Sequence, residues 1–156
     1  MAIYEVSGRS TLTTATSAAA LVSLRAVTRW VRIWEVHLFY QTAPTTSGGL
    51  GLCYSTAIGT GTLTSVTPVA RSTRATAPTA LLVTAWGTAA PTNGGTGTIL
   101  KRLATANSVG NGVIWTFDRE PLEIVGSAGA TSELCLVSTL TQTTAGTAEI
   151  VFVFEE

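Results

Sequence analysis

His37 is the only histidine of the 156 residues and stands two positions from Glu35, so on an extended chain the two side chains share a face. An imidazole beside a carboxylate is the beginning of a metal site or of a general base. Zinc would need more ligands, and Cys53 and Cys135 are the remaining soft ones, far away in sequence. An ordinary strand histidine is the simpler reading. Asp118 is the only aspartate, and it lies in Asp118-Arg119-Glu120 just before Pro121, which is a turn composition. Glu123 and Glu133 fall in two expected strands and could face one another as glycosidase carboxylates do, but no sequence signal brings them together. A Ser–His–Asp triad would have to use His37 and Asp118, and Gly-x-Ser-x-Gly is absent. The glycine-rich pieces, Ser47-Gly48-Gly49-Leu50-Gly51 and Asn93-Gly94-Gly95-Thr96-Gly97, match neither a phosphate loop nor a dinucleotide fingerprint. The inventory is too poor in acids and bases for catalysis. The chain is read as a non-enzyme that needs no cofactor.

Four tryptophans remain as candidates for binding: Trp30, Trp34, Trp86 and Trp115. Trp30, Arg32 and Trp34 share a face at even spacing, as a stacking platform or an interface hot spot requires. Trp115 shares a face with Val113 and Phe117 and reads as core. For Trp30, core and interface stand level. Arg71 and Arg74, in a segment with no apolar face, are the other candidate contacts, with a solvated loop as the alternative.

Charged residues make up 12% of the chain and the formal net charge is zero. That fraction is well below the usual ~25%. Roughly a third of the residues are Thr or Ala, and Thr keeps a pleated surface wettable without charge. So little charge suggests surface covered by other protein, in an oligomer or a larger assembly. Hydroxyl-rich surface standing in for charge, or a GC-rich genome, would give the same bias. No basic run exceeds two residues, which argues against a nucleic-acid partner. No stretch reaches the ~20 apolar residues of a membrane span, and the first residues lack the apolar core of a signal peptide. The product is expected in the cytoplasm of the cell that makes it, with Cys53 and Cys135 reduced and buried in preference to paired.

Period-two alternation runs through the whole chain. It predicts strands over 2–6, 19–27, 30–41, 50–57, 61–69, 80–86 and 98–104, and then a closing series over 112–117, 121–125, 133–137 and 149–156. A short helix over 19–27 is the alternative there, since Ala and Leu favour helices. Residues 10–18, 44–49, 70–79, 87–97 and 107–112 read as loops or turns. In the longest strand, Trp30, Arg32, Trp34, Val36, Leu38 and Tyr40 are expected on one face, and Val31, Ile33, Glu35, His37, Phe39 and Gln41 on the other. About ten strands without a helix specify an all-β fold. A two-sheet antiparallel β-sandwich of jelly-roll type fits best, over 1–156 as a single domain, with an immunoglobulin-like sandwich as the alternative. Glu155-Glu156 reads as a solvated terminus.

Gly112-Val113-Ile114-Trp115-Thr116-Phe117, then Pro121-Leu122-Glu123-Ile124 and the closing Glu155-Glu156, resemble the small β-rich structural proteins of tailed bacteriophages. Leu12-Thr13-Thr14-Ala15, Val31-Arg32-Ile33-Trp34-Glu35 and Thr67-Pro68-Val69 follow the same order in the N-terminal half. The resemblance implies a virion protein, most like a head decoration (cement) protein on the outer capsid surface. Its expected partners are the major capsid protein and copies of itself in a homotrimer, with Trp30, Arg32, Trp34, Arg71 and Arg74 as candidate interface. A glycan-binding host-attachment module, or a tail or baseplate protein, is the alternative.

Overall fold

The computed structural model describes residues 1–12, 19–42, 49–94, 98–104, 108–126, 129, 132–139 and 146–156. Residues 44–48 of the expected turn at 44–49 and parts of the loops at 10–18, 87–97 and 107–112 lie outside them, as do most of Leu12-Thr13-Thr14-Ala15 and residues 47–48 and 95–97 of the two glycine-rich pieces. Thirteen strands are formed among the described residues, against the ten or so expected. They are β1 (Ile3–Leu12), β2 (Ala20–Arg25), β3 (Val31–Thr42), β4 (Gly49–Ala57), β5 (Leu63–Val66), β6 (Val69–Ala70), β7 (Leu81–Trp86), β8 (Thr92–Asn93), β9 (Lys101–Ala104), β10 (Gly112–Thr116), β11 (Leu122–Ile124), β12 (Glu133–Ser138) and β13 (Gly146–Glu155). The excess has two sources: one expected strand divides, and β8 forms within 87–97, which was expected to be loop, by pairing with β4 at Ser55 and Ala57. Residues 61–69 split at Thr67-Pro68, where proline cannot donate to a ladder and the chain crosses from one sheet to the other.

All pairings are antiparallel, and they are nested. β1 pairs β13, β2 pairs β12, β3 pairs β10 and β11, and β4 pairs β9. That is one long hairpin rolled on itself. Closure comes from β13 against β3 in one sheet and β12 against β4 in the other. Sheet A runs β10-β3-β13-β1-β6, with β11 continuing β10 along β3; sheet B runs β5-β7-β2-β12-β4-β8, with β9 also on β4. This nesting is the jelly roll, and it is not the immunoglobulin strand order. The segment holding β5 to β8 is an insertion between β4 and β9 that widens sheet B.

The core lies between the sheets. Sheet A contributes Tyr4, Val6, Ile33, Leu38, Tyr40, Ile150, Phe152 and Phe154, and sheet B contributes Val22, Leu24, Leu50, Leu52, Leu82, Leu134 and Leu136, all buried. The Tyr4 and Phe154 rings stack with centroids 5.6 Å apart. Each such side chain contributes about 1.5–3 kcal/mol on burial.

The expected faces of β3 hold only for its first part. Val31 and Ile33 point inward, but so do Val36, Leu38 and Tyr40. The phase changes at a bulge: β13 pairs Phe154 with Ile33 and the adjacent Val153 with Glu35, leaving Trp34 as the extra residue. A bulge sets two successive residues against one, so Trp34 and Glu35 both turn outward. On the other side of β3, residues 117–121 loop out between β10 and β11, and the Phe117 N–H donates to the Trp34 carbonyl at 2.9 Å.

Candidate functional site

The outer face of β3 carries Trp30, Arg32, Trp34, Glu35, His37 and Phe39, because the bulge turns Glu35, His37 and Phe39 to the side that Trp30, Arg32 and Trp34 already share. Trp30, immediately before the strand, is 60% exposed; Trp34 is half-buried. The expected grouping of Trp30, Arg32 and Trp34 therefore holds. Arg32 Nε donates to Glu123 Oε1 at 2.8 Å, from the facing residue of β11. His37 Nε2 lies 2.8 Å from Glu35 Oε2. Cross-strand neighbours of His37 are Ile114 on one side and Val151 on the other. Ile114 is 52% exposed and Phe39 38%, so the polar pairs sit among uncovered apolar side chains.

The two loop arginines lie at the opposite edge of sheet A. Arg71 Nη2 donates to Glu5 Oε2 at 3.0 Å in an exposed pair, and the Arg71 N–H ties the loop to Ile3. Arg74 is exposed, its N–H held by the Ser72 hydroxyl. The structure thus separates Arg71 and Arg74 from the tryptophan patch by the width of the sheet. Segment 70–79 is mostly exposed, as expected, but it is anchored: the Tyr4 hydroxyl donates to the Thr76 carbonyl at 2.8 Å.

Chemistry built on the scattered acids fails on placement. Glu123 is on the outer face of sheet A and Glu133 on the outer face of sheet B, each paired with its own arginine. His37 and Glu35 are likewise on the opposite side of the sandwich from Cys53 and Cys135. Among the described residues no three His, Cys, Asp or Glu side chains come together as metal ligands.

Sequence reasoning missed the outer face of sheet B, whose centre is buried. Its rows, read across the strands, are Val83-Ser23-Cys135-Cys53 and Leu81-Arg25-Glu133. Arg25 pairs with Glu133 Oε1 and its Nη2 donates to the Gly59 carbonyl at 2.6 Å. Among the described residues, Glu133 Oε2, Ser23 Oγ and Trp86 Nε1 are buried without a hydrogen-bond partner. Burial pushes the Glu133 carboxyl above the usual glutamate range, and the Arg25 charge only partly opposes this. Burial likewise pushes the Cys53 thiol up to about 11. Cys135 is raised by its burial first and then by the facing Cys53. Both cysteines are free, as expected. Beside Arg25 a cleft of about 210 Å³ opens, walled by Val27, Ile58, Leu63 and Leu81.

No family model, no curated protein and no solved structure matches this chain.

Proposed function

We propose that this protein is a structural component of a bacteriophage virion, a decoration protein on the outer capsid surface that bridges capsomers of the major capsid protein as a homotrimer. The observation that carries the reading is the uncovered outer face of sheet A. Ile114, Phe39 and Val151 surround His37 there, on the face of sheet A that points away from the buried core. Exposed apolar side chains interleaved with ion pairs suit a surface that a neighbouring subunit covers. The mechanism on this reading is mechanical: each bound copy adds buried area across a junction and favours the intact shell by mass action.

Particles made with and without the protein test this by their resistance to heat and chelator. The reading requires the protein in purified particles and lower resistance in its absence. Equal resistance, with the protein missing from purified particles, overturns it.

One observation favours a second reading. Trp30 and Trp34 share the outer face with the Arg32–Glu123 pair between them, so aromatic surface and polar donors alternate as a sugar ring requires. Glycan binding lost in both Trp30→Ala and Trp34→Ala would select host attachment over the shell.

A further inference from the structure

Sheet B extends past β2 by two strands, β7 and β5, whereas sheet A extends past β1 only by β6. β6 covers Tyr4 and Glu5 and then stops, although β1 continues to Leu12. The direction of the main-chain groups follows from the ladder. Ala2 exchanges hydrogen bonds with Glu156 on the β13 side, and Ile3 accepts from Arg71 on the β6 side. Odd-numbered residues of β1 therefore turn N–H and C=O toward β6. Past the end of β6, the main-chain groups of Ser7 and Arg9 face an edge with no strand beside it among the described residues.

Sheet B shows the same gap from below. Val66 is the register partner of the core residue Leu82, so it points toward sheet A, yet it is 40% exposed. An inward valine left uncovered marks a place where sheet A is one strand short. A cleft of about 320 Å³ lies there, lined by Glu5, Ser7, Val66, Val69 and Arg71.

Charge selects among occupants. Arg9 is exposed and has no ion-pair partner among the described residues. Arg71 and Arg74 flank the same edge; Glu5 is already taken by Arg71, and Glu149, opposite Arg9 in the β1–β13 register, accepts from Gln41 and forms no ion pair with Arg9 among the described residues. A second copy of this chain would bring arginine to arginine. An acidic strand is the complement.

We propose that the open edge of β1 over Val6–Ser10 receives one extended segment of a partner protein, alternating apolar residues laid over Val66 with acidic residues facing Arg9. Main-chain hydrogen bonds to Ser7 and Arg9 give affinity, and the alternation gives register. The slot stands apart from the virion reading, since it is on the far edge from Ile114 and Phe39.

The probe is a short synthetic peptide alternating valine and glutamate, titrated against the intact protein, with an alternating valine–lysine peptide for comparison. The valine–glutamate peptide binds and slows amide exchange at Ser7 and Arg9. Ser7→Pro removes binding but not the fold, because that N–H makes no ladder bond. Arg9→Glu weakens binding about tenfold and admits the lysine peptide. A valine–glutamate peptide N-methylated on its edge-facing amides fails to bind the unaltered protein, which keeps the test clear of any folding defect in Ser7→Pro. No binding by the valine–glutamate peptide, or equal binding after N-methylation, overturns the proposal. So does a self-dimer that Ser7→Pro dissociates, since that assigns the edge to a second copy.

Discussion

Thr79 donates both its backbone N–H and its hydroxyl to the side-chain carboxylate of Glu156, and the Ala80 N–H adds a further bond at 3.2 Å. The residue that sequence reading took for a solvated end is buried. It joins the end of β13 to the segment that enters β7, and so ties sheet A to sheet B. Its main chain also exchanges two hydrogen bonds with Ala2, at 3.1 Å each.

Glu156→Ala removes the acceptor of these donors and leaves buried N–H groups without a partner. Hydrogen bonds to a charged group are the stronger kind, and the expected loss of stability is about 2–3 kcal/mol. Urea denaturation measures it. Glu156→Gln keeps an acceptor and loses less. An unchanged midpoint for the alanine variant would show that Thr79 and Ala80 do not depend on this carboxylate.

Glu133 gives the fold a pH dependence of unusual sign for an acid. Its folded-state carboxyl is held above its unfolded value by burial, so the folded chain binds the proton more tightly. That contribution is fully present below the ordinary glutamate range and is lost as pH rises through the raised folded value. Glu133→Gln flattens the dependence of the urea midpoint over that window. Parallel pH curves for the two proteins would contradict it. Arg25→Ala leaves a buried carboxylate without its counter-charge and costs about 3–5 kcal/mol.

Cys53 and Cys135 face one another across β4 and β12, both fully buried and both with raised thiol pKa. Thiolate is the reactive form, so neither should react with a thiol reagent near neutral pH while the protein is folded. Both label readily in denaturant. Fast native labelling of either cysteine would mean that the outer face of sheet B opens.

Gly112 pairs with Phe39 at the edge of sheet A, and a Cβ there would run into the Leu38 carbonyl oxygen and the Phe39 ring. Gly112→Ala should cost about 1–3 kcal/mol by forcing β10 away from β3. Thermal melting reads this directly, and an unchanged melting temperature would show that β10 is loosely held.

Most of the strands could be expected from the sequence because the information is local. β12 is apolar on both faces, Leu134-Cys135-Leu136-Val137, as a central strand covered on both sides must be. β13 alternates until Phe152-Val153-Phe154, where the bulge against β3 sits. The bulge itself leaves no mark in β3, since Trp34-Glu35 continues the alternation and only the register with β13 inverts it. The Arg25–Glu133 pair was hidden for a similar reason: its members are 108 residues apart, and neither has a neighbour that announces burial. Glu156 is the same case, with its donors 76 and 77 residues away. Local pattern specifies which residues form strands; register and capping depend on partners that only the fold brings together.

The proposed bridging of a capsid is most directly tested by co-sedimentation of the purified protein with empty shells of the major capsid protein. The account predicts saturable binding that Ile114→Glu and Phe39→Glu abolish together, with both variants still folded. Binding that survives these charges, or no binding to the shells at all, would contradict it.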